Sequence, residues 1–141
     1  MPSLTLEDAN RLIEAALAKG RELGCKPLTV AVLDASATLL AFQRQAPSGL
    51  ARPEVAIGKA RASLALGVSS RRIGEMAATR PHFIQGVIAS SPGPFVPVPG
   101  AALIVENGET VGAVGISGDT SDNDEACAAA GVAAIGREAV V

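Results

Sequence analysis

One imidazole, His82, occurs in the 141 residues of this chain. Proton transfer near neutral pH looks to it first, because no other side chain has an unperturbed pKa near seven. It follows Arg80-Pro81 and precedes Phe83 at the mouth of a proline-rich stretch, where an ordinary loop histidine is the competing reading. The second cluster is acidic, Asp119-Thr120-Ser121-Asp122-Asn123-Asp124-Glu125. Asp119, Ser121 and Asn123 have the alternating spacing of a calcium loop. That loop then needs Gly at its sixth place and Glu at its twelfth, and Asp124 and Ala130 stand there instead. The plainer reading is a helix start, with Ser121 as cap and the carboxylates opposing the positive end of the dipole. The functional reading has Asp119 or Asp124, close to a glycine-rich strand, facing a ligand or binding a hard cation weakly. Arg44 and Lys59 have the chemistry to anchor a ligand carboxylate, although each also reads as a solvated cation. Phe42, Phe83 and Phe95 read as core or pocket-wall residues.

Standard catalytic motifs are absent: there is no G-x-S-x-G, no P-loop and no Cys-x-x-Cys. One histidine cannot build a histidine metal cage, and no metal centre is assigned. Gly112-x-x-Gly115-x-x-Gly118 lacks the dinucleotide-binding spacing and follows a hairpin rather than sitting in a βαβ unit. Hydrophobic residues at 48% and charged residues at 18% describe a globular chain long enough for one core, so residues 1–141 read as a single domain. The net charge is −2, the basic residues are scattered, and Trp and Tyr are absent. Neither the basic stripe nor the stacking platforms of a nucleic-acid interface are therefore available.

No apolar run approaches the roughly 18 residues of a spanning helix, which argues against a membrane partner. Met1-Pro2-Ser3-Leu4-Thr5 lacks the charged-then-apolar pattern of an export signal. Cys25 and Cys127 read as reduced core thiols. A cytoplasmic protein is expected.

The elements follow from periodicity and punctuation. Thr5-x-x-Asp8 caps a helix over about 5–23, with apolar positions at helical spacing and Gly24 as the stop. Leu28–Leu33 and Thr38–Gln43 form a hairpin around Asp34-Ala35-Ser36-Ala37. Glu54–Leu66 is an Ala-rich second helix ended by Gly67. Ser70–Thr79 is a third, halted by Pro81. From His82 to Gly100, four prolines and three glycines predict an irregular loop of the kind that carries function. Ala102–Glu106 and Glu109–Ser117 pair across Asn107-Gly108, a type I′ turn, and Gly112 and Gly115 mark close approach to the second strand. A last helix runs from Asp122 to about Arg137. The order α-β-β-α-α-loop-β-β-α predicts an α/β (α+β) fold with an antiparallel sheet and helices packed on it.

Several of these segments resemble the GlcG/HbpS family, which includes the C-terminal domain of PduO-type adenosyltransferases. They are Val30-Ala31-Val32-Leu33-Asp34 with Leu39-Leu40-Ala41-Phe42, and Gly58-Lys59-Ala60-Arg61-Ala62. Most specific is Val111-Gly112-Ala113-Val114-Gly115-Ile116-Ser117-Gly118, followed by Asp124-Glu125 opening a small-residue helix. The resemblance spans nearly the whole chain. It implies a profilin-like sheet of about five strands, homo-oligomers and, in some members, haem, for which His82 is the first axial-ligand candidate. The chain departs from the pattern at Ala37, at Gln45-Ala46 and at Pro99-Gly100-Ala101-Ala102.

The expected function is small-molecule binding, with haem or a related porphyrin suggested by the resemblance and the cofactor otherwise open. The expected pocket lies between the glycine-rich strand, the start of the last helix and the His82–Gly100 loop, shared across a subunit interface. Arg44, Lys59 and Phe83 would hold the ligand, with Gly100, Gly115, Ser117 and Gly118 beneath it and His82, Asp119 and Asp124 as acid–base candidates. Two alternatives stand beside this: an enzyme or accessory subunit acting on a small organic acid, and an assembly scaffold.

Overall fold

The computed structural model describes residues 3–141. Met1 and Pro2, which open the segment read for an export signal, lie outside the described residues. Helix α1 (Leu6–Leu23) starts where the Thr5 hydroxyl accepts from the Asp8 amide at 3.1 Å, and it ends at Gly24, whose φ of 68° suits a residue without Cβ. Strands β1 (Thr29–Asp34) and β2 (Leu39–Arg44) follow as a hairpin. In its turn the Asp34 carboxylate accepts from the amides of Ser36 and Thr38. Helices α2 (Arg52–Leu66) and α3 (Ser70–Thr79) come next, the second capped by the Ser69 hydroxyl.

The Asn107-Gly108 turn, with φ of 50° and 79°, joins β3 (Ala101–Glu106) to β4 (Glu109–Ser117). Helix α5 (Ser121–Ala134) and strand β5 (Glu138–Val140) complete the chain. The five strands form one antiparallel sheet in the order β2-β1-β4-β3-β5. The fold is the mixed α/β arrangement that the element order predicts.

Alternation along β1 and β4 sorts the core by face. Val30, Val32, Val114 and Ile116 pack against Leu12, Ile13 and Ala16 of α1 and Cys127, Ala128 and Val132 of α5. Leu33 and Ala113 turn the other way, with Leu103, onto Ala60 of α2. Behind α2 a smaller cluster of Ala62, Ile73, Ile84 and Phe95 holds the outer helices.

Three local readings change. Residues Pro81–Ser90 form a helix, α4, inside the stretch expected to be irregular. Arg80, at φ −134° and ψ 59°, breaks α3, and Pro81 then opens α4 at a position that needs no N–H. Proline there punctuates two helices rather than preventing one. At the C-terminal end, Gly136 with φ 71° ends the helical region before the expected Arg137, and β5 pairs with β3. Thr120, not Ser121, caps α5, accepting from the Asn123 amide at 3.2 Å. No helix among the described residues is long and apolar enough to cross a membrane.

Candidate ligand-binding site

Two regions contain the residues singled out above, and the chain keeps them apart. The first lies where α2 crosses β4. Gly115 has no side chain, and any Cβ there would collide with the carbonyl oxygen of Ala56, so the glycine admits the helix backbone itself. That close approach carries Lys59 inward. Its Nζ donates to the Ile116 carbonyl at 2.8 Å and to Asp124 Oδ2 at 3.1 Å, with side chains only 3% and 1% exposed. Gly100, at φ 131°, passes directly over it; a Cβ would lie 2.6 Å from Nζ.

Burial pushes the Lys59 pKa down and the Asp124 pKa up, each opposed by the partner's charge. The other Asp124 oxygen accepts from the Asp119 amide at 3.1 Å. Asp119 in turn accepts from the Lys26 amide at 3.0 Å and from Asn123 Nδ2 at 2.7 Å. These donors hold its carboxyl at about 2, the Lys26 amide most strongly. The Ser117 hydroxyl accepts from Arg52 at 3.0 Å, and Arg44 donates to the carbonyls of Ala46 and Ser48. Gly118 lies against the carbonyl of Pro27. The close approaches that the glycines signal are therefore made by the chain on itself.

The second region is a groove along α4. Ile84 of this amphipathic helix is buried with Phe95 in the cluster behind α2, whereas Phe83 is 40% exposed and His82 is exposed. The Arg80 guanidinium lies over the Phe83 ring, 4.3 Å from its centroid. Between α4, Ala65 of α2 and the segment Ser91–Phe95 is a groove of about 460 Å³. Phe83, Val87, Pro92 and Phe95 make its walls mostly apolar, and His82 is the only titratable side chain on it.

A hollow of about 270 Å³ shares Ala65, Ser91 and Pro92 with this groove and continues to the Ala35-Ser36-Ala37 turn, bordered by Arg61 and Leu64. The Nε of Arg61 is buried with no hydrogen-bond partner among the described residues. A larger hollow of about 520 Å³ beside Asn107 has mostly polar walls, and its Arg137 is already bound to Asp8 and Glu106.

The structure thus brings His82 and Phe83 together on one groove. Arg44, Lys59, Gly100, Gly115, Ser117, Gly118, Asp119 and Asp124 line neither that groove nor its extension. Val87 and Arg61 escape sequence reasoning. Val87 needs α4 to be recognised as a helix, and Arg61 reads as one more cation in an Ala-rich run.

The sequence profile of the family described as haem degrading protein HbpS-like matches residues 4–133. The crystal structure of a PduOC–haem complex superposes with a TM-score of 0.87 at 24% identity, covering 99% of this chain and all of that one. Protein ORFY of Klebsiella pneumoniae gives 0.86 at 21% identity over 96% and 92% of the two chains. HbpS gives 0.82 at 26% identity over 94% and 90%. No curated protein matches the chain. With the profile spanning almost all of the sequence and the same fold in each of these structures, the chain belongs to the HbpS-like, haem-degrading protein family.

Proposed function

We propose that the protein binds a flat, largely apolar small molecule, haem or a related porphyrin, in the groove along α4. The observation that carries this is the pairing of an apolar groove of about 460 Å³ with a single imidazole at its edge. That volume is within the roughly 300–1,000 Å³ of small-molecule sites, whose walls are usually apolar with few polar groups. Haem fits this donor set. Phe83, Val87 and Phe95 offer carbon to the macrocycle, and the His82 imidazole is the one nitrogen ligand on the groove. Bound there, haem would supply iron redox chemistry. The chain's own part would be to cover the macrocycle with Phe83, Val87 and Phe95, exclude water from that side and offer the His82 imidazole to the iron. Membership of the family supports the reading, as does the haem held by PduOC, a protein of the same fold.

The alternative of an enzyme working on a small organic acid through Asp119 or Asp124 relies on carboxylates that Lys59, Lys26 and Asn123 already occupy. The porphyrin reading is preferred for that reason. A cytoplasmic homo-oligomer remains part of the proposal.

Titration with haemin tests the reading. The expected result is a saturable Soret shift, weakened about tenfold or more by Phe83→Glu, which places a charge on the apolar wall. His82→Ala should change stability by no more than about 0.5 kcal/mol, since the residue is exposed. It should also alter the Soret position. No Soret shift and no saturable binding would sink the haem assignment.

A further inference from the structure

We propose that Arg61 is the anion anchor of this groove, and that the ligand is an organic carboxylate whose apolar body lies along α4. The inference rests on the groove being the ligand site and adds the class of group that the ligand must carry. Most arginines that α2 and its neighbours bring near the sheet are satisfied by the chain. Arg44 and Arg52 donate to protein oxygens, and Arg71 and Arg137 are paired with carboxylates. Arg61 takes part in none of the ion pairs among the described residues. Its Nε is buried without an acceptor. A guanidinium carries five N–H donors and no acceptor, and losing water from one edge without gaining a partner costs free energy.

Gly93 leaves the space that the side chain occupies. A Cβ on this glycine would lie 3.1 Å from both Cζ and Nε of Arg61 and 3.3 Å from Nη2, so the guanidinium packs flat where a side chain would otherwise be. The Gly93 carbonyl accepts from the Ser91 hydroxyl at 2.8 Å, and Arg61 Nε makes no hydrogen bond to it. Arg61 instead borders the hollow that Ser36 and Ser91 flank and that joins the apolar groove through Ala65 and Pro92. The planar fork of arginine matches a carboxylate in two parallel hydrogen bonds. A molecule with its carboxylate at Arg61 has its hydrocarbon or aromatic part running past Pro92 toward Val87 and Phe83. Charge and apolar surface then meet their complements in one ligand.

The test uses the full chain and two probes of the same shape, 2-naphthoate and its neutral amide, 2-naphthamide, followed by fluorescence titration. The acid is expected to bind about tenfold tighter or more, the range of a charge-assisted hydrogen bond. Arg61→Gln should abolish that advantage while leaving the amide's affinity unchanged. Gly93→Ala, which keeps the charge and shifts the guanidinium by a few tenths of an ångström, should shrink the advantage without abolishing it, and Arg61→Leu carries the test should Arg61→Gln not fold. Equal affinities in the wild type, no binding of either probe, or an acid advantage that survives Arg61→Gln or Arg61→Leu would overturn the proposal. The porphyrin reading fails separately: no Soret shift with haemin beside an intact acid advantage removes haem and leaves Arg61 in place. Haem binding without an acid advantage removes Arg61 alone.

Discussion

Lys59 and Asp124 give up nearly all their hydration to face each other between α2 and α5, and burial moves both pKa values toward neutrality. Such a pair is weak evidence of net stabilisation, yet removing one partner leaves the other charged and buried. Asp124→Asn should therefore cost about 3–5 kcal/mol in urea unfolding while leaving the α4 groove intact. Asp119 differs, because its donors hold the folded carboxyl at about 2, against 3.8 when unfolded. A depressed folded pKa gives stability that is complete above the unfolded value and is lost as the pH falls toward 2. Asp119 is half-exposed, so the solvent-discounted contribution is about 1 kcal/mol. Unfolding free energies of the wild type and Asp119→Asn should differ at pH 5 and converge near pH 2. A constant difference across that range would contradict the assignment.

At the scale of elements, the sheet-to-helix contact depends on a hydrogen atom at Gly115. Gly115→Ala would force a Cβ into the Ala56 carbonyl and within 3.0 Å of the Ala60 amide nitrogen, both backbone atoms that cannot swing aside. The expected loss is about 3 kcal/mol or more by thermal or chemical unfolding. Elements with strong local punctuation were readable from the sequence: Thr5 and Gly24 bound α1, and Asn107-Gly108 makes the second hairpin. Helix α4 was not, because proline and glycine in His82–Gly100 suggest a loop, whereas Pro81 sits in the first turn, where proline is tolerated. Strand β5 is three residues long and exists through its pairing with β3, a long-range contact with no local signal. The same limit applies to the groove. His82 and Phe83 drew notice by residue type, but the link from Arg61 to Gly93 spans two elements and only the fold reveals it. The glycine-rich strand pointed to close approach, and the atoms that approach are the Ala56 carbonyl of α2 at Gly115 and the Leu33 carbonyl of β1 at Gly112.

For the whole molecule, the sheet has two open edges among the described residues, β2 and the three-residue β5, and β2 is the longer. Strand β2 has no neighbour beyond it, and Leu39 and Phe42 on it are 47% and 37% exposed, with Leu50 beyond its end at 98%. Unpaired, apolar edges favour pairing with another chain. The expected state is a homo-oligomer, and a single species of monomer mass in sedimentation velocity at micromolar concentration would count against it. The central claim, that the ligand lies along α4, has a more direct test. Zinc protoporphyrin, a diamagnetic stand-in for haem, should perturb backbone amide resonances from His82 to Ser91 and at Phe95, saturably. The amides around Lys59, Gly115 and Asp124 should stay still. Saturable shifts confined to those three residues and their neighbours, or no saturable shift anywhere, would contradict the account.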